Sequence, residues 1–178
     1  MSLLAEVVSL LREERIDHAL IGAAALAIHG VSRATVDVDL LTTDTRALQS
    51  DLWKPCRARG ESIRIIEGDF DDPLAGSVRV TSGSGDIVDV VIGRYEWQAE
   101  LIAAAESFSS GDAEVPVVRP AGLVLLKLHA GGPKDAWDIS SLAEAHPQWE
   151  AIREEVEGLV ERLPSDSRRL WERLRTEA

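Results

Sequence analysis

Asp37 and Asp39 stand two residues apart in the run Val36-Asp37-Val38-Asp39-Leu40-Leu41, whose other members are apolar. On an extended chain, residues i and i+2 share a face, so the two carboxylates project side by side. Adjacent carboxylates repel unless a cation or a proton lies between them. Hard oxygen ligands held this close suit Mg²⁺, which takes one or two carboxylates together with substrate phosphates. Upstream, Leu20-Ile21 runs into Gly22 and then into Ala23-Ala24-Ala25-Leu26-Ala27-Ile28, a strand entering a small-residue helix. The free backbone N–H groups of such a helix start can meet an anion. Each part alone has a plainer reading, a half-buried strand with a solvated face and a turn glycine. Their order and spacing point instead to a phosphate cradle beside a metal-binding pair, and so to nucleotide chemistry.

Farther along, Asp89 interrupts the apolar run Ile87-Val88-Asp89-Val90-Val91-Ile92. An unpaired charge inside such a strand is costly, so the position lies on a wet face or an edge, or serves a purpose. Two metal ions bridging attacking and leaving oxygens call for a third acidic ligand, or a base, opposite the first pair. Lys127 sits within Leu125-Leu126-Lys127-Leu128, where a lysine needs a partner or must snorkel at the helix edge. Asp135 and Asp138 lie three apart at a helix start and share a face. They can pair with Lys127 or Arg33, or cap the helix. Arg33 offers a fork of donors to a phosphate or to the aspartate strand. Asp86, on the opposite face from Asp89, reads as turn chemistry. His29 and His129 lack metal-ligand spacing and read as structural. Of the tryptophans, Trp97 and Trp137 fall nearest the motifs, and both read as packing groups before base-stacking ones.

The block Gly22-Ala23, then Arg33-x-Thr35-x-Asp37-x-Asp39, resembles the nucleotidyltransferase superfamily with its DNA polymerase β-like fold. In particular it resembles the AbiEii-type toxin-like bacterial nucleotidyltransferases, whose lysine helix and Lys-Asp-x-x-Asp segment are similar to the stretch from Lys127 to Asp138. The resemblance implies a nucleoside triphosphate bound at Gly22, Ala23, Arg33, Thr35, Lys127 and Asp138. It implies two Mg²⁺ ions held by Asp37, Asp39 and Asp89, with Lys127 neutralising phosphate charge. The reaction implied is transfer of a nucleoside monophosphate to an acceptor hydroxyl, and an antitoxin is an implied partner. Where the family has a serine at the second position of its glycine pair, Ala23 offers only its backbone N–H. Three rival readings follow: a binding or regulatory protein with impaired catalysis, a toxin acting on tRNA, and an antibiotic-modifying enzyme.

These groups need a scaffold. Strands mixed with helices, followed by a helical tail, read as α+β, here a mixed β-sheet flanked by helices with a C-terminal helical segment. The pattern places strands at 17–21, 36–41, 62–66 and 113–118, and a hairpin of 77–81 with 87–92. It places helices at 23–29, 45–52 (ended by Lys54-Pro55), 95–106, 120–130, 134–145, 148–163 and after Pro164. Residues 1–145 form the expected catalytic domain, and 146–178 a helical appendage packed on it. A chain of 178 residues, 45% of them apolar, can bury one core without staples. The single cysteine, Cys56, excludes an internal disulfide framework and fits a reducing compartment. The N-terminal stretch reads as an amphipathic helix rather than a signal peptide, and no apolar run is long enough to span a membrane, so the expected location is cytoplasmic with no membrane partner. A net charge of −12 with no basic run favours a small-molecule or protein acceptor over a large RNA surface.

Overall fold

Leu3, Val7, Val8, Leu10 and Leu11 recur at helical spacing and are all buried, which makes the first segment the amphipathic helix α1 (Leu3–Glu13). Ser2 caps it, its hydroxyl accepting the Ala5 N–H at 3.2 Å. The computed structural model describes residues 1–32, 35–110 and 112–177. After α1 come β1 (Ala19–Ile21), α2 (Gly22–Ile28), β2 (Asp37–Thr42), the 3-10 turns Thr45–Leu48 and Ser50–Trp53, α3 (Lys54–Ala58) and β3 (Ser62–Glu67). β4 (Leu74–Thr81), β5 (Ile87–Gly93), α4 (Glu96–Ala103), β6 (Glu106–Ser110) and β7 (Ala113–Val117) follow. The chain continues through α5 (Pro120–Ala130), α6 (Pro133–Ala145), α7 (Trp149–Leu159) and α8 (Ser165–Glu177).

Packing gathers the chain into two compact units, Met1–Ala24 with Ala34–Val118, and Ala25–Arg33 with Arg119–Ala178. The first is built on a seven-stranded mixed sheet in the order β3-β4-β5-β2-β1-β7-β6. β2 runs parallel to β5, and β1 to β7, while the other neighbours are antiparallel. Leu40, Val78, Val80, Val88, Val90 and Ile92 are buried on one face of its centre. Asp39, Arg79 and Asp89 alternate with them and therefore lie on the other face. Each buried aliphatic side chain contributes about 1.5–3 kcal/mol, and a one-residue slip would exchange these valines for the three charges, so the register is strongly set.

In the second unit α5 packs against α6, α7 and α8. Leu123, Val124, Leu128, Ile139, Leu142, Ile152, Val156 and Trp171 are buried, and the ring of Trp149 meets that of Trp171 edge-on at 6.3 Å. Gly131, at φ +70°, ends α5 in the left-handed conformation that glycine adopts without a Cβ penalty.

The α+β class and the 77–81/87–92 hairpin are as expected, and three local expectations are corrected. The helix expected at 45–52 is instead a pair of 3-10 turns, and the α-helix begins at Lys54, where it was expected to stop. Pro55 sits in the first turn of α3, the one place in a helix where its missing N–H costs nothing. The helix expected to reach Glu106 ends at Ala103, and Glu106–Ser110 is an edge strand paired with β7. Its sequence, Glu-Ser-Phe-Ser-Ser, has little of the apolar alternation that marks a strand, since an edge strand is held chiefly by backbone hydrogen bonds to one neighbour. Cys56 is buried, and burial pushes its thiol up to about 11, so it is a core group rather than a nucleophile. Among the described residues, no helix is long and apolar enough to cross a membrane.

Candidate active site

The register of the sheet assembles one row of side chains across five strands. Ile21 on β1 pairs with Asp39 on β2, Asp39 with Asp89 on β5, Asp89 with Arg79 on β4, and Arg79 with Arg64 on β3. Paired residues share a face, so carboxylates from two parallel neighbours stand side by side with a guanidinium next in line. Asp37, two residues before Asp39 on β2, adds a third carboxylate to the same face.

Gly22 opens α2 directly beneath this row. Its φ is +67°, and a Cβ built on it would lie 2.0 Å from Asp39 Oδ2. Only a residue without a side chain lets the Asp39 carboxylate approach the backbone this closely. Ala23, the next residue, is buried. The Thr35 hydroxyl lies 2.7 Å from Asp37 Oδ1 and 3.0 Å from the Asp37 carbonyl oxygen, so it steadies the residue that begins β2.

Arg79 grips Asp89 with both prongs of its fork. Its Nε donates to Oδ1 at 2.8 Å and its Nη2 to Oδ2 at 2.6 Å. The same Nη2 lies 3.8 Å from Asp37 Oδ2. The bond to Asp89, with smaller contributions from the charges of Asp37 and Asp39, raises the guanidinium above its ordinary pKa. Among the described residues, no set of three or more His, Cys, Asp or Glu side chains is arranged to hold a metal ion. The donor chemistry nevertheless suits a hard divalent cation. Three carboxylates lie on one sheet face, and the Asp39 carboxylate lies against the backbone of Gly22.

Lys127 lies in the second unit, where its ammonium sits 2.9 Å from Asp135 Oδ1 and 2.7 Å from Asp138 Oδ2. Asp135 also accepts the Gly132 N–H at 3.1 Å, so it caps α6 as well as pairing with the lysine. Burial works against the charged ammonium, but the hydrogen bonds and charges of Asp138 and Asp135 outweigh it and leave the Lys127 pKa raised. Asp138 is fully buried. Replacing Lys127 with methionine is expected to destabilise the fold by about 3 kcal/mol, because it withdraws a cation from a buried carboxylate. A folded-state pKa above the unfolded value means that this contribution is complete below pH 10.5 and fades as pH rises through the raised value. Urea unfolding of both forms from neutral to alkaline pH checks it: the gap between them should be constant near neutral pH and narrow above 10.5.

The sequence-derived candidates thus fall in different places. Asp37, Asp39, Asp89, Gly22, Ala23 and Thr35 belong to the first unit, and Lys127 and Asp138 to the second. Arg33 lies outside the described residues. Asp86 accepts hydrogen bonds from Ser82 and Ser84 in the β4–β5 turn, as expected. Trp97 is buried and its ring stacks on Tyr95, whereas Trp137 is 54% exposed, so only the first is a packing group. Sequence reading missed Arg79. The signal was present, because an antiparallel hairpin of 77–81 with 87–92 that keeps its valines on one face must set Arg79 beside Asp89.

The mixed seven-stranded sheet with its flanking helices is a nucleotidyltransferase fold. The solved structures similar to this chain share it. One is ANT(2'')-Ia in complex with adenylyl-2''-tobramycin, with a TM-score of 0.52, 16% identity, and coverage of 88% of this chain and 95% of that one. Another is an antigenic nucleotidyltransferase-like protein from Paracoccidioides brasiliensis, with a TM-score of 0.50, 20% identity, and coverage of 94% and 90%. At these identities the likeness is one of fold. No curated protein sequence matches the chain. Residues 3–176 match the family described as nucleotidyl transferase AbiEii toxin, type IV toxin–antitoxin system, and the chain belongs to that family.

Proposed function

We propose that this protein is a divalent metal-dependent nucleotidyltransferase that moves a nucleoside monophosphate from a nucleoside triphosphate to an acceptor hydroxyl. The observation that carries the reading is the register pairing of Asp39 with Asp89, with Asp37 on the same face. The triphosphate lies along the Gly22–Ala23 turn with Thr35 near it, and by the family resemblance Arg33 donates to its phosphates. Asp37, Asp39 and Asp89 would hold Mg²⁺, which would supply positive charge to the phosphates. Asp89 takes the proton from the acceptor hydroxyl. The acceptor oxygen then bonds to the α-phosphorus, the bond to the β-phosphate bridging oxygen breaks, and pyrophosphate leaves. By the family resemblance, Lys127 supplies positive charge for the phosphates and Asp138 supports that lysine. A small molecule or a protein suits the acidic surface better than a large RNA, and an antitoxin partner follows from the family.

Thermal unfolding with each of the four nucleoside triphosphates, with and without Mg²⁺, tests the binding half. A ligand at a hundredfold excess over its dissociation constant stabilises by about 2.7 kcal/mol. A metal-dependent rise in the wild type, lost in Asp37→Ala/Asp39→Ala, is the expected result. No rise with any nucleotide would sink the reading. Ala23 in place of serine, and Arg79 on the carboxylates, favour one alternative: a member of the family that binds nucleotide but transfers slowly or not at all. It would be marked by the same thermal rise without labelling of any acceptor.

A further inference from the structure

Arg79 stands where a cation belongs. The Asp89 carboxylate has both oxygens occupied by one guanidinium, at 2.8 and 2.6 Å, and Asp37 lies 3.8 Å from the same group. Two of the three carboxylates assigned to the metal are therefore balanced by a side chain. A carboxylate held in this fork cannot turn an oxygen to a metal ion without exchanging its bonds, and a guanidinium beside a divalent ion is repelled by it. The guanidinium is the exposed half of this pair. Its side chain is 48% exposed against 15% for Asp89, and it lies on β4 next to the exposed Arg64.

We propose that Arg79 is an internal counter-ion of the metal site. It holds Asp89 and Asp37 in place in the metal-free protein, and it must release Asp89 before the ion binds. This rests on the functional reading above. Arg79 then acts through the carboxylates as a positioning residue, and it makes metal binding an exchange of one cation for another. The exchange lowers affinity for the ion alone. An anionic triphosphate offers the displaced guanidinium a new partner, so nucleotide and metal favour each other's binding through this side chain.

Binding of Mn²⁺ to the nucleotide-free protein, followed by the electron spin resonance of the free ion, is the test. Removing a neighbouring positive charge should tighten Mn²⁺ binding about tenfold or more in Arg79→Gln, with Arg79→Lys between it and the wild type. Adding a non-hydrolysable triphosphate should raise Mn²⁺ affinity more in the wild type than in Arg79→Gln. A strand residue with a merely structural role would give no gain in affinity when removed. Equal or weaker Mn²⁺ binding by a folded Arg79→Gln, with clear binding by the wild type, would overturn the counter-ion role and leave the metal site standing. Absence of Mn²⁺ binding by both proteins would overturn the counter-ion role and the metal-dependent reading together.

Discussion

Asp39→Asn is expected to lower nucleotidyl transfer by about 10³-fold or more while the protein stays folded. The change keeps the shape of the side chain and removes its charge. Asp39 is central to the row, paired in register with Asp89 on one side and with Ile21 on the other, and its carboxylate lies against Gly22. Under the proposed mechanism it is the ligand nearest the phosphate turn, so an amide there weakens hold on the metal where negative charge on the phosphates must be neutralised. The measurement is transfer of labelled nucleotide to acceptor, with circular dichroism to confirm the fold. Asp86→Asn is the control: that carboxylate serves the Ser82 and Ser84 hydroxyls in a turn, so its loss should leave transfer unchanged. If the family's toxin role extends to this chain, growth arrest on expression in a bacterial host should be relieved by the same Asp39→Asn change. Full transfer by the asparagine variant would remove Asp39 from the mechanism.

Gly22→Ala is expected to cost more activity than stability. A left-handed backbone angle costs a residue with a Cβ about 1–2 kcal/mol. The added methyl would sit 2.0 Å from Asp39 Oδ2, a distance no pair of non-bonded atoms tolerates, so something must move. What gives way is the far end of a flexible side chain, and the fold therefore survives. That side chain is the Asp39 carboxylate itself, and a displacement of about 1 Å in a reacting group can cost 10²-fold in rate. Gly85 supplies the comparison: its φ is +93° and a Cβ there meets nothing within 4 Å. Gly85→Ala should lose similar stability in thermal unfolding and keep its transfer rate. If both alanine variants lost activity equally, backbone strain rather than the approach to Asp39 would be responsible.

Much of this was legible in the linear chain, because it depends on period alone. Two aspartates two apart on a strand must share a face, and valines alternating with Asp89 must turn it away from them. The amphipathic α1, the hairpin of β4 with β5 and the helical run from Pro120 follow from the same local rules. Family membership was legible too, since Gly22, Arg33, Thr35, Asp37 and Asp39 lie close together in the chain. What the folded chain alone settled involves partners far apart in sequence. β2 lies parallel to β5 across dozens of intervening residues, and this brings Asp39 beside Asp89. The polar strand β6 exists because β7 offers it a backbone edge. Lys127 finds Asp135 and Asp138 because α6 folds back along α5. Hydrophobic period is carried by each segment for itself, whereas the neighbour of a charge is chosen when whole elements pack and every buried group must find its pair.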